Sequence, residues 1–440
     1  MPFFLFLLLF SFPAWGAPRP IFCHLKQCTE IALRNNQQIH AADAEMEMSR
    51  GKLDEAHPGP MPFLKYESRL APVPRDIDNA AASFFRADWS VFNSLKLELG
   101  APISTFGRLT IAQDLAELGI DASWFKRQKT SDEIVFRVHQ VYHGILLARQ
   151  LQNLADQAVE ALEGKIEEQK KERVVDQIGV LKIKVALFEV RRKVEEAKKK
   201  EMLALAVLKV QMGLEQDVPL SIPDEDLTPV SFTLRPLSYY LTEAHDYLPE
   251  FKLLAVGVAA KGRQLSLEKK APFPVLGWGG FFDIGHAPAI RGEDGESSFS
   301  NPFNYTKVGV GFQLKGEFDY RKMRAKVRQA RADLQKVSFE RGAATRGLEL
   351  DVEKSYWDVV EAARLMEQSG DEKKTARQMV FLTKSNLDIG IGEKKDYYDG
   401  LQSYLVFQGR ELEAIFNYNV AVSELKKKTG RLYAGQKEIP

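Results

Sequence analysis

Val91-Phe92-Asn93-Ser94-Leu95-Lys96-Leu97-Glu98-Leu99 alternates without a slip. One face reads Val91, Asn93, Leu95, Leu97 and Leu99, and the other Phe92, Ser94, Lys96 and Glu98. A period of two with one apolar face marks a β-strand whose two sides meet different surroundings. Three further runs behave alike. Leu64, Tyr66, Ser68 and Leu70 oppose Phe63, Lys65, Glu67 and Arg69. Leu276, Trp278, Phe282 and Ile284 oppose a Gly-rich face, and Val308, Val310, Phe312 and Leu314 alternate with Lys307, Gly309, Gly311, Gln313 and Lys315. The spacing predicts strands over about 62–71, 91–101, 274–284 and 305–315. Lengths near ten residues, with Trp89, Trp278, Phe303 and Tyr305 close to the ends, fit lipid-facing strands between aromatic girdles. An antiparallel sheet packed on a soluble core is the plainer reading of the strands alone.

Four strands cannot close a barrel, and an open edge cannot persist in lipid, because its N–H and C=O groups find no partner there. Spanning strands would therefore require several chains to share one barrel. Oligomerisation follows from hydrogen-bond closure.

The runs sit in a sequence that repeats itself. Two segments, 17–219 and 237–430, are joined by a Pro-containing linker at 220–236 and followed by a tail at 431–440. Each opens with an amphipathic helix, Thr29-Glu30-Ile31-Ala32-Leu33-Arg34-Asn35-Asn36 and Leu241-Thr242-Glu243-Ala244-His245-Asp246-Tyr247-Leu248-Pro249-Glu250. Each then breaks at prolines (Pro58, Pro60 and Pro62; Pro272 and Pro274), passes two strands, and enters a very long helical stretch and a return helix. From about 108 to 173 there is no Pro, and a helix of roughly 65 residues would extend about 100 Å; residues 320–387 match it. Ile183, Leu187, Val190, Val194, Ala197, Glu201, Ala204 and Leu208 fall at steps of four and three, a coiled-coil seam. Leu405, Leu412, Ile415 and Val422 repeat it, interrupted by Gln408 and Asn419.

Composition agrees with an ordered, exported chain. Of 440 residues 28% are charged and 45% apolar, which argues against wholesale disorder. The 61 basic and 60 acidic side chains leave a net charge of +1, so nothing global points to nucleic acid. Residues 3–12 form an apolar run too short to span a bilayer, followed by Pro13 and Ala14-Trp15-Gly16, which has small residues where a signal peptidase needs them. A cleaved leader over 1–16 is expected, although no Lys or Arg precedes the run. Cys23 and Cys28 lie five apart, which on a helix would point them away from each other; a bridge outside the helix remains open.

Leader, duplicated helix–hairpin–long-helix–helix units and coiled-coil pairing together resemble the TolC-type outer-membrane efflux family. Ala101-Pro102-Ile103-Ser104-Thr105-Phe106-Gly107-Arg108 is similar to its strand-to-helix turn. Leu387-Asp388-Ile389-Gly390-Ile391-Gly392, with Asp396 and Asp399, resembles its periplasmic tip. Gln211-Met212-Gly213-Leu214 and Lys428-Thr429-Gly430 match the ends of its return helices, and Glu243-Ala244 through Pro249-Glu250 its repeat opening. Two places depart from the pattern. The first-half tip, Glu172-Arg173-Val174-Val175-Asp176-Gln177-Ile178-Gly179, has a late Gly, and Gly316-Glu317-Phe318-Asp319-Tyr320 has no Pro.

The resemblance implies a mainly α fold with a β-barrel portion: a homotrimer with a 12-stranded outer-membrane barrel continuing into a periplasmic α-helical coiled-coil tunnel. It implies a periplasmic adaptor (membrane fusion) protein and an inner-membrane transporter as partners, outer-membrane lipid around the strands, and no nucleic acid. Lys65, Glu67, Arg69, Lys96, Glu98, Lys307 and Lys315 would line the barrel lumen. Asp396 and Asp399, three apart on one helix face, would form acidic rings at the periplasmic entrance, and Tyr397 or Tyr398 could close it. The plain alternative is first-turn acids steadying a helix N-terminus. Gly390 and Gly392 would allow the chain reversal.

No catalytic, cofactor or metal set is expected. His139 and His143 are four apart on a helix but lack a zinc-protease glutamate, and read as a solvated or interfacial pair. The expected function is passive export, as the outer-membrane channel of a tripartite efflux or type I secretion system. The competing classes are a trimeric coiled-coil adhesin or stalk and a lipid-acting barrel enzyme. Two internal hairpins argue against the first, and no nucleophile or metal set is visible for the second.

Overall fold

The computed structural model describes residues 21–57, 62–75, 80–171, 177–288 and 303–433. The expected leader at 1–16, Pro58, Pro60, residues 172–176 of the first-half tip and residues 434–440 of the tail lie outside them. The elements run β1 (Ile21–Phe22), α1 (Leu25–Asn35), α2 (Gln37–Ala56), β2 (Phe63–Pro74), α3 (Ala80–Phe85), β3 (Trp89–Ser104), α4 (Arg108–Lys170) and α5 (Gln177–Gln211). The second half gives β4 (Leu220–Ser221), α6 (Leu237–Tyr247), α7 (Pro249–Lys270), β5 (Val275–His286), β6 (Tyr305–Lys315), α8 (Tyr320–Asp388) and α9 (Lys394–Lys428). The fold is mainly α with a smaller sheet. No helix among the described residues is long and apolar enough to cross a membrane.

The chain divides into two compact units, each assembled from both halves. The first comprises residues 1–44, 125–252 and 344–440. Its helices pack side by side in a chain of contacts. Ile183 and Leu187 of α5 bury against Ile166 of α4, and Arg149 of α4 pairs with Glu201 of α5 at 2.6 Å. On the other side of α4, Lys427 of α9 pairs with Glu133 at 3.2 Å. Lys428 of α9 in turn reaches Asp351 of α8 at 2.6 Å. The seam read from the sequence is buried at Ile183, Leu187, Val194, Ala197 and Leu208, with Val190, Glu201 and Ala204 half-buried.

Polar Asn419, which breaks the seam of α9, is fully buried for a reason. Its Oδ1 accepts from the Val230 amide at 2.9 Å and its Nδ2 donates to the Thr228 carbonyl at 2.9 Å. A buried amide so satisfied pins the segment that joins the halves. That segment is also tied by β4, which pairs in parallel with β1, and by Arg149, which donates to the Ile222 carbonyl at 2.8 Å. Cys23 and Cys28 form a disulfide with a Cα separation of 5.6 Å. Helical geometry does not keep them apart, because Cys23 precedes α1.

Each return helix ends on a glycine in the left-handed region. Gly213 has φ 64° and Gly430 φ 68°. A Cβ at Gly213 would lie 2.2 Å from the Asn35 carbonyl oxygen, and one at Gly430 would lie 2.6 Å from the Tyr247 carbonyl. Both conformation and close approach demand glycine there. The duplicated sequence thus builds the same joint twice.

The second unit comprises residues 45–124 and 253–343. It holds a four-stranded antiparallel sheet in the order β2-β3-β5-β6, so β2 and β6 are its edges. β3 carries an irregularity between Pro102 and Ser104, where the strand leaves for the turn into α4. In that turn Phe106 takes φ 53° and stacks on Phe273, with centroids 6.2 Å apart.

Candidate functional site

Two regions carry the chemistry, one in each unit. In the sheet, antiparallel register fixes which residues share a face, because directly paired residues point the same way. Lys65 pairs with Glu98, Glu67 with Lys96, and Asp283 with both Lys96 and Lys307. Glu67, Lys96, Asp283 and Lys307 therefore form one row across all four strands, alternating in sign. Arg69 bonds Glu67 at 2.7 Å and Lys96 bonds Glu98 at 2.6 Å. The register places all seven charged residues singled out above, Lys315 included, on this face. Asp283 belongs with them and was missed. Its signal was present as the lone charge out of phase with Trp278, Phe282 and Ile284.

The opposite face carries Leu64, Tyr66, Leu95, Leu97, Leu99, Phe282, Val308, Val310 and Phe312. It is bare. Val308, Val310 and Phe312 are 76%, 88% and 81% exposed, against the usual sense of a strand's apolar side. Among the described residues no core covers them. On the charged side a concavity of about 1330 Å³ opens, lined among others by Lys96, Glu98, Asp283, Lys315, Lys322 and Lys326. Among the described residues β2 and β6 each pair on one side only, so both sheet edges present unpaired backbone groups.

The second region is the turn between α8 and α9. Gly390 has φ 81°, and the amides of Ile391 and Gly392 both donate to the Asn386 carbonyl at 2.9 Å. This closes the end of α8 and reverses the chain. Asp396 lies in the first turn of α9, and Asp396 and Asp399 are both exposed. Tyr397 and Tyr398 are half-exposed neighbours, with ring centroids 5.4 Å apart. Tyr398 reaches across to α4: its hydroxyl lies 3.4 Å from Glu168, and the Lys165 ammonium sits 3.1 Å from its ring centroid. Burial lowers the Lys165 pKa, and the nearby Asp399 carboxylate opposes that. Lys165 and Glu168 gave no sequence signal, since their partner is more than two hundred residues away. Ile389 and Ile391 flank Gly390 with their side chains in solvent, at 67% and 80% exposed.

His139 and His143 form the interfacial pair of the two readings, not the solvated one. Both lie between α4 and α9, and His143 is only 7% exposed, with neither ring nitrogen partnered among the described residues. His139 Nδ1 is 3.4 Å from the Ser423 hydroxyl. Burial pushes the His143 pKa down to about 4. Burial first, then His143 and Lys426, do the same to His139. One helical stretch away, burial and the Glu250 carboxylate raise Asp132 to about 7. No group of three or more metal-ligating side chains occurs among the described residues.

With this geometry in hand, comparison with solved structures decides the architecture. The open-state MtrE outer-membrane channel of Neisseria gonorrhoeae superposes with a TM-score of 0.73 at 15% identity, covering 93% of this chain and 89% of that one. The outer-membrane protein VceC of Vibrio cholerae gives 0.71 at 13% identity, covering 92% and 96%. CusC, whose structures concern transmembrane channel formation, gives 0.72 at 13%, covering 92% of both chains. The chain has the fold of an outer-membrane channel. No family model matches the sequence, and no curated protein matches it. The outer-membrane-channel fold is thus carried by a sequence far removed from its structural neighbours, and the likeness spans the length of both partners.

Proposed function

We propose that this chain is one subunit of a trimeric outer-membrane channel that passively conducts cargo delivered by a periplasmic adaptor and an inner-membrane transporter. The observation that carries it is the four-stranded sheet with a bare apolar face, a charged face and two open edges. Such a sheet is stable in lipid only when neighbouring copies pair their edges into a closed cylinder. Three copies give 12 strands. The apolar face meets hydrocarbon, while Lys65, Glu67, Arg69, Lys96, Glu98, Asp283, Lys307 and Lys315 line a wet lumen.

The first unit supports the same assembly. The two helices at the ends of its contact chain, α5 and α8, keep bare apolar side chains: Leu181, Val185 and Phe188 on one, Leu350, Trp357 and Leu365 on the other. Head-to-tail contact between these ends closes a ring, as do the strand edges. Asp396 and Asp399 would then recur around the narrow end and favour cations, with Tyr398 held by Lys165 and Glu168 as the clamp that keeps α9 against α4. Exposed Ile389 and Ile391 suit contact with an adaptor. No reaction is assigned to the chain, and the adhesin reading does not explain the charged concave face.

Planar-bilayer recording tests the proposal. Purified protein should form small, cation-preferring channels, and Asp396→Ala/Asp399→Ala should reduce that preference. Protein that stays monomeric, dissolves without detergent and never conducts would overturn the reading; unchanged selectivity in the variant would remove only the acidic rings.

A further inference from the structure

The first twelve residues of α8, Tyr320 to Arg331, contain six cations and no acid. This violates helix electrostatics twice. Cations near a helix N-terminus oppose the macrodipole, and like charges three and four apart repel. The corresponding start of α4, from Arg108, carries one cation and two acids in the same length, Asp114 and Glu117. A duplicated unit that needs no such charge in one copy carries it in the other against local preference, which is where a binding role is expected.

The six divide between two faces. Lys322 and Lys326 line the concavity on the charged side of the sheet, and Lys322 pairs with Glu317 at 3.1 Å. Arg321, Arg324, Arg328 and Arg331 follow steps of three, four and three. They therefore form a stripe about 160° round the helix from that pair. All four are exposed, and none has an ion-pair partner among the described residues. Among the described residues Arg324 alone of the four touches a ring, 5.4 Å from the centroid of Tyr320. The stripe begins six residues after Lys315, where β6 and its bare apolar face end. Phe318, 77% exposed, lies between them.

We propose that this arginine stripe binds the phosphate headgroups of anionic phospholipids at the periplasmic surface of the membrane, an inference that rests on the outer-membrane reading above. Exposed, unpaired guanidinium groups beside a lipid-facing strand end suit phosphodiester oxygens, which accept their forked N–H donors. Arg321 and Arg324 sit within about one helical turn of the start of α8 and reach headgroups directly. Arg328 and Arg331 follow up to about 15 Å farther along the axis and act through the field. The contribution should therefore be graded along the stripe.

Spin-labelled phosphatidylglycerol and phosphatidylcholine, added to the full-length channel in phosphatidylcholine bilayers, report relative association at the protein surface. The wild type should prefer phosphatidylglycerol, by on the order of fivefold for each arginine in reach. Arg321→Gln/Arg324→Gln should bring the ratio close to one, and Arg328→Gln/Arg331→Gln should reduce it less. Equal association in the wild type overturns the proposal. So does a double variant that loses its trimer in neutral detergent yet keeps the lipid preference, since the stripe would then serve contact with a second copy. If that variant does not assemble, the wild-type ratio between ~0.01 M and ~1 M salt decides, because screening lengths fall from about 30 to 3 Å. Collapse toward one supports headgroup binding, and an unchanged ratio overturns it. Channels that insert and conduct without lipid preference remove this inference alone; failure to insert removes both.

Discussion

Apart from α3, which has no counterpart among the described residues, the two halves of the chain contain the same series of elements, and they differ in what covers them. The opening helices have 11 residues each, the return helices 35 each, and the long helices 63 and 69. Even the buried stripe keeps its steps: Val135, Val138, Tyr142 and Ile145 on α4, and Val352, Ser355, Val359 and Ala362 on α8. Yet α4 is flanked by α5 and α9 and buries a second face, with Asp132, Phe136 and His143 inside. The outer face of α8 stays bare at Leu350, Trp357 and Leu365. Duplication supplies equal parts, and position in the row decides which part meets its own chain and which stays uncovered.

The sharpest way to break this comparison is to charge the two long helices in turn. In the proposed trimer, Trp357→Asp should abolish assembly and leave a helical monomer, because a carboxylate in the proposed subunit contact would cost on the order of several kcal/mol. Ile145→Asp should instead unfold the chain itself. Size and circular dichroism measured together distinguish these outcomes, and a trimeric Trp357→Asp protein would refute the division.

A second test asks whether the two glycine joints are equivalent. Gly213→Ala and Gly430→Ala should each destabilise by more than the roughly 1–3 kcal/mol of a strained backbone, since the new Cβ also meets a carbonyl. Similar drops in the urea midpoint support a true structural repeat, while a large effect at one joint alone would not.

The buried histidines distinguish the halves by pH. Their folded pKa near 4 lies below the usual 6.5, so the unfolded chain takes up protons first as pH falls. Their contribution is intact above 6.5 and is lost between 6.5 and 4, by on the order of 3 kcal/mol for each histidine. Asp132 runs the other way. Its folded pKa of about 7 exceeds 3.8, so stability is lost as pH rises through that interval. His143→Leu should raise the melting temperature at neutral pH, by relieving two unpartnered nitrogens worth about 1–3 kcal/mol, and should shrink the acid loss. Asp132→Asn should shrink the loss toward neutral pH. Thermal scans across pH check both, and unchanged pH profiles would contradict the burial argument.

The smallest expected effect is local. Asn419→Leu removes two hydrogen bonds to the joining segment and should cost about 1–3 kcal/mol, read as a lower unfolding midpoint. Protease cleavage near Thr228 should also quicken, while Arg149 still holds Ile222. Unchanged cleavage would mean that the segment is pinned elsewhere.

Much of this is legible in the sequence alone, because it depends on short-range periodicity. Alternation around Lys96 and Val310 fixes strands and their faces, and steps of three and four from Ile183 to Leu208 fix a seam. Proximity in three dimensions was not legible. Asp283 became part of a charged row only when strand register set it beside Lys96 and Lys307. Tyr398 acquired Lys165 and Glu168, and His143 lost its solvent, only when α9 lay against α4.

The sequence by itself therefore determined element type, length and duplication, since each follows from side-chain spacing along a few turns or residues of one segment. Tertiary structure decided which groups pair across segments, which polar atoms lose water, and which apolar faces remain uncovered. Those depend on packing between distant parts of the chain, and neither spacing nor composition encodes a partner's position.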